Sequence, residues 1–113
     1  MATAQGSRRT KASKTSDPLV DAFGLLGRRW ALRLLWELRD GPVGARALRG
    51  RTDDISSSVL YTRLGELVTA GLVRQDRVLD YELTPLGRDL VKALTPLEQW
   101  SKRWSRTRGS RAR

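Results

Sequence analysis

The chain has 113 residues, 22 of them Lys or Arg against 12 Asp or Glu, for a formal net charge of +10, and this length suits one domain with a single modest core. It contains neither Cys nor His, which excludes disulfides, thiol redox chemistry, Cys/His metal sites and Ser-His-Asp or Cys-His nucleophile systems; no cofactor is expected. The charge excess sits at the ends: residues 1–16 contribute +4 and residues 101–113 contribute +6, while residues 17–100 balance 12 basic against 12 acidic side chains.

Residues 1–16 lack apolar periodicity and are expected to form a disordered basic arm. They also lack the apolar stretch of a secretory signal, and no apolar run in the chain approaches the roughly 18 residues of a transmembrane helix, so a cytoplasmic protein without membrane contact is expected. Order should begin at Asp17-Pro18, an N-cap followed by proline where its missing N–H costs nothing. Leu19, Val20, Phe23 and Leu26 give the first helix an apolar side, and Gly27 is placed to stop it. Arg28 to Leu38 is apolar over most of its circumference, predicting a central helix buried on more than one side with Trp30 and Trp36 in the core. Gly41-Pro42 breaks it.

Val43 to Arg49 predicts a short helix, Gly50 to Asp54 a polar turn, and Ser56 the N-cap of a longer helix running to about residue 70. Helical spacing puts Leu60, Leu64 and Leu67 within about 40° of one another, leaving Ser58, Thr62, Gly65 and Thr69 on the other side with Tyr61 at its shoulder. Short helix, turn and longer helix with a small polar face is the helix-turn-helix arrangement, whose second helix lies in a DNA major groove. Gly71 ends that helix. Leu72–Val78 and Leu79–Leu83 read as two short strands of a hairpin wing. Thr84-Pro85 opens another helix, and Thr95 with Glu98 forms a second capping signal around Pro96, predicting a break or kink there. The last helix aligns Leu97, Trp100 and Trp104, and residues 105–113 are expected to be a disordered basic tail. The fold expected is mainly α with a small β-hairpin wing, a winged helix-turn-helix over residues 17–104.

The ordered set Leu25-Leu26-Gly27-Arg28-Arg29-Trp30, Leu34-Leu35-Trp36-Glu37-Leu38, Asp40-Gly41-Pro42, Ile55-Ser56, Val59-Leu60, Arg63-Leu64, Glu66-Leu67, Gly71-Leu72-Val73 and Tyr81-Glu82-Leu83-Thr84 resembles the HxlR family of winged helix-turn-helix transcription regulators, relatives of the MarR type. The resemblance implies a homodimer held by the first and last helices, with one recognition helix per subunit in successive major grooves. Where many members carry a Cys before the first-helix proline, this chain has Asp17, so thiol sensing does not carry over. The wing is also shorter than usual. Ser57, Ser58 and Gly65 stand where members often have proline or basic residues, which implies fewer phosphate contacts from this helix.

Candidate DNA contacts are therefore Ser56, Ser57, Ser58, Tyr61, Thr62 and Arg63 on the recognition helix, Arg46 on the helix before it and Arg77 at the wing tip. Hydroxyls can bond bases or phosphates alike, and Arg63 could instead form an intrahelical ion pair. Leu19, Phe23, Leu97, Trp100 and Trp104 are candidates for a dimer interface, since a small domain has little core left for them; a pocket for a small-molecule effector between the end helices is the alternative, with no polar constellation to mark it. The function expected is a sequence-specific dimeric regulator of double-stranded DNA, a repressor at an inverted-repeat operator. The competing expectations are an architectural protein that coats DNA through its arms and a module whose winged helix contacts protein. No catalytic grouping or Gly-rich phosphate loop points to an enzyme.

Overall fold

A computed structural model of the protein describes residues 17–111, so the disorder expected of residues 1–16 lies outside the described residues. The chain divides into two compact units at Leu32.

The first unit holds α1 (Pro18–Leu26). Asp17 is extended and its carboxylate accepts a hydrogen bond from the Leu19 N–H at 2.9 Å, so the cap and the proline act as the sequence predicts. At the other end the Gly27 N–H donates to the Phe23 carbonyl at 2.8 Å, and a Cβ on Gly27 would stand 2.7 Å from that same oxygen. No residue of α1 is buried, and Leu19 and Phe23 are 60% and 62% exposed.

The central helix is shorter than the sequence predicts. α2 covers Ala31–Glu37, and Arg28 to Trp30 form a turn that ends with Trp30 in the left-handed region at φ 79°. A side chain there costs roughly 1–2 kcal/mol, and it allows the chain to turn between two helices set only four residues apart. Trp30 is thus off the helix, and both Trp30 and Trp36 are half-buried rather than core residues.

In the second unit, Leu34, Leu35 and Leu38 are fully buried and form the core with Leu48, Leu60, Leu64, Leu67, Val73 and Leu83. Gly41, at φ 138°, makes a turn that favours glycine. Val43 is then extended instead of opening a helix: its N–H and C=O both exchange hydrogen bonds with Tyr81 at 2.9 Å. The backbone pairing captures Val43, and α3 begins only at Ala45, running to Arg51. A turn leads to α4 (Ser57–Thr69).

The end of α4 is a Schellman cap. The Leu72 N–H donates to the Leu67 carbonyl and the Gly71 N–H to the Val68 carbonyl, both at 3.0 Å, with Gly71 at φ 81°. The wing follows as β1 (Val73–Gln75) and β2 (Tyr81–Leu83), antiparallel in the register Val73–Leu83, Arg74–Glu82, Gln75–Tyr81. Thr84 then joins three elements: its hydroxyl donates to the Gly71 carbonyl at 2.6 Å and accepts from the Gly87 N–H at 3.0 Å. A Cβ on Gly87 would lie 2.0 Å from the Leu72 carbonyl oxygen, so only glycine lets the last helix start this close to the strand.

That helix, α5, is one uninterrupted helix from Pro85 to Arg111. Of the break or kink predicted at Pro96, the break does not occur: the chain stays helical through it. Pro96 removes one hydrogen bond, but Lys92, whose carbonyl loses its donor, lies at an exposed position where water can replace it. Thr95 does not cap either; its hydroxyl donates back to the Val91 carbonyl at 3.3 Å. The helix also continues through residues 105–111, where a disordered tail is predicted.

Candidate nucleic-acid interface

The site is built on the α3–turn–α4 unit. Its turn is held from within. Thr52 is fully buried and its hydroxyl donates to the Leu48 carbonyl at 2.8 Å, the Ile55 N–H donates to the Thr52 carbonyl at 3.3 Å, and Asp54 takes the left-handed conformation at φ 68°, which Asp tolerates better than most residues. From α3 the Arg49 Nε donates across the turn to the Ile55 carbonyl at 3.3 Å. These bonds fix the angle at which α4 leaves the turn.

Within α4 the sequence pattern and the burial agree. Leu60, Leu64 and Leu67 are at most 1% exposed, whereas Ser57, Ser58, Tyr61, Thr62 and Gly65 are exposed. Ser56 is the N-cap: its Oγ accepts from the Val59 N–H at 3.2 Å and lies 3.4 Å from the Ser58 Oγ. Its hydroxyl is therefore partly used by the helix, while the first N–H groups of α4 remain available to an anion. A Cβ on Gly65 would meet nothing within 4 Å. The glycine is a notch in the exposed face, and its neighbours Tyr61 and Thr62 stand beside open space. A flat surface of hydroxyls, one phenol and a glycine can approach base edges closely and both donate and accept hydrogen bonds.

The arginines fall into two groups. Arg63 is half-buried and its guanidinium meets Glu66 Oε1 at 3.2 Å and Oε2 at 3.4 Å, which is the ion-pair alternative of the sequence reading. Arg46 on α3 and Arg77 at the wing tip are exposed and make no hydrogen bond or ion pair among the described residues. Their charges face water and can meet phosphate without breaking an internal contact.

The wing carries its own order. Arg74 and Glu82 face each other across the hairpin at 2.9 Å. Tyr81 is buried, and that burial, reinforced by Tyr61, raises its hydroxyl above the ordinary 10.0.

The candidates outside the helix-turn-helix are all uncovered. Leu97, Trp100 and Trp104 are 47–48% exposed along α5. The two indoles stack at 5.5 Å between centroids with 13° between planes, and the Arg108 guanidinium lies 4.2 Å from the Trp104 ring. Leu19 and Phe23 are equally uncovered on α1. Two features escape a reading of the sequence. One is the Thr84 clamp between Gly71 and Gly87. The other is the exposure of Val78 and Leu79 at the wing tip, signalled by two aliphatic residues in a turn where Asn or Gly would be expected. Among the described residues no group of three acidic side chains is placed to hold a metal, and no helix is long and apolar enough to cross a membrane.

Comparison with known proteins places this geometry. The chain is similar over 89 residues, at 27% identity, to the HTH-type transcriptional regulator YvaP of Bacillus subtilis strain 168, covering 74% of this chain and 82% of that protein. Its fold is similar to that of quinone-bound YodB from B. subtilis, with a TM-score of 0.72 and 28% identity over 79% of this chain and 99% of the other. A possible HxlR family transcriptional factor from Thermoplasma volcanium GSS1 gives a TM-score of 0.71 at 26% identity, covering 88% and 95% of the two chains. Residues 25–108 match the HxlR-like helix-turn-helix family. The winged fold, the hydroxyl-bearing α4 and this match agree: the chain belongs to the HxlR-like helix-turn-helix family, DNA-binding transcriptional regulators rather than enzymes.

Proposed function

We propose that the protein is a homodimeric, sequence-specific repressor that places α4 in the major groove of each half of an inverted-repeat operator. The observation that carries this reading is the outward face of α4: Ser57, Ser58, Tyr61 and Thr62 are exposed around the Gly65 notch while the leucines behind them are buried. Ser56 supports the reading from the helix N-terminus, and Arg46 and Arg77 supply phosphate contacts beside it. Arg63 orders the flank through Glu66. The uncovered apolar groups support the dimer, with Leu19 and Phe23 on α1 and Leu97, Trp100 and Trp104 on α5 as contacts for a second copy. Cytoplasmic residence fits the DNA partner.

Footprinting on the DNA beside the protein's own gene tests this reading, because such regulators often act on their neighbours. The expected result is a protected inverted repeat with half-site centres about one helical turn, ~34 Å, apart. Uniform protection that spreads with concentration would favour the DNA-coating reading, and no protection at low salt would favour a protein-binding module.

A further inference from the structure

The tip of the wing combines two unfavourable features in one place. Val78 is 74% exposed and Leu79 67% exposed, more than any other large apolar side chains described. Leu79 also sits at φ 67°, where a branched side chain is strained by roughly 1–2 kcal/mol and glycine or asparagine would be comfortable. Local stability therefore argues against leucine at this position twice, once for exposure and once for backbone.

The loop nevertheless holds this residue firmly. One Asp76 carboxylate oxygen accepts from the Val78 and Asp80 N–H groups, both at 2.9 Å. The Asp76 N–H donates to the Asp80 carbonyl at 2.8 Å and the Leu79 N–H to the Asp76 carbonyl at 3.1 Å, closing the turn. Gln75 Nε2 donates to the Leu79 carbonyl at 3.1 Å. The turn presents Val78 and Leu79 to solvent on a braced base, and Arg77, next to them in sequence, is exposed and makes no hydrogen bond or ion pair among the described residues.

From this arrangement we infer that the wing tip is an apolar wedge for the DNA minor groove, with Leu79 pressed against a base step and Arg77 beside it in the same groove. The inference rests on the DNA-binding reading above. Size selects the occupant: a stable protein interface needs about 800 Å² per partner, far more than two aliphatic side chains provide, whereas one aliphatic group suffices to open a base step. Charge agrees, because the narrow minor groove concentrates negative potential and attracts arginine. The wedge would add specificity without hydrogen bonds, favouring sites whose flanks carry easily opened pyrimidine–purine steps.

The test is selection from a random duplex library by the full chain and by Leu79→Gly, a change that relieves the backbone and leaves every wing hydrogen bond available. Wild-type protein should enrich half-sites flanked at a fixed distance by TA or CA/TG steps, and a bend should appear as a shortened end-to-end distance by fluorescence transfer. Leu79→Gly should enrich the same half-site bases, lose the flanking preference and the bend, and bind the wild-type site roughly tenfold more weakly, the weight of one specific contact. Its salt dependence should not change, since no charge is removed. Unchanged flanks and unchanged bending in Leu79→Gly would overturn the wedge while leaving the operator reading intact. Failure of the wild-type chain to enrich any half-site would overturn that reading and the wedge with it.

Discussion

The outward face of α4 and the cationic side of α5 are both exposed helix surfaces of a DNA-binding regulator, yet they carry opposite chemistry. α4 shows hydroxyls, a phenol and a glycine, and its one arginine is held by Glu66. In α5, Arg88, Lys92, Arg103 and Arg106 fall within about 60° of one another at helical spacing, all of them exposed, while Leu97, Trp100 and Trp104 lie on a different side. One helix is short-ranged and directional and the other is long-ranged and undirected. Under the function proposed above, the contrast would assign discrimination and attraction to different parts of the chain, since hydrogen bonds to base edges carry sequence information and exposed cations carry affinity that salt can screen.

The strongest way to break the contrast is to remove the platform of α4. Leu64 is fully buried, and Leu64→Ala should cost about 2–5 kcal/mol of stability in urea unfolding, taking sequence preference and general affinity together. Next in size is the apolar side of α5. Trp104→Ala should weaken dimerisation by about 2 kcal/mol, seen as a shift to monomer in sedimentation at micromolar protein with helicity retained; an unchanged dimer would remove the indole from the interface. The smallest effect concerns the buried phenol of the wing. Because burial raises the Tyr81 hydroxyl above 10.0, the folded state keeps its proton where the unfolded chain would release it. Its stabilising contribution is complete below pH 10 and is lost as pH rises above that value. Tyr81→Phe should therefore flatten the alkaline loss of thermal stability, and an equally steep loss in both proteins would exclude Tyr81 as its source.

How much of this is legible in the sequence depends on the range of the interaction. α4 can be read almost residue by residue, because its Ser56 cap, leucine stripe and Gly71 terminus are all signals within a few residues of where they act. The wing is legible for the same reason, since Tyr81-Glu82-Leu83 alternates over a short span. Val43 reads as helical although it is extended, because what fixes it is Tyr81, a partner distant in sequence that no local pattern reveals. Pro96 carries a real local signal for a break, but the helix on either side outweighs one missing hydrogen bond. The tail from residue 105 is ambiguous in composition; an arginine-rich stretch is compatible with either disorder or helix, and here it continues a helix already formed. Of the candidate DNA contacts, the exposure of Ser57, Ser58, Tyr61 and Thr62 follows from periodicity, whereas the pairing of Arg63 emerges only from its geometry with Glu66.

The central claim, that α4 discriminates while the cations of α5 attract, is tested most directly by measuring two quantities on two variants: the ratio of operator to random-duplex affinity and the slope of log affinity against log salt. Tyr61→Ala with Thr62→Ala should reduce the ratio by roughly tenfold or more at constant slope. Arg103→Gln with Arg106→Gln should reduce the slope by about 0.9 for each phosphate that is no longer neutralised, at constant ratio. If both variants change the same quantity, or if the α5 variant alone erases the preference for the operator, the division of labour proposed for the two helices is contradicted.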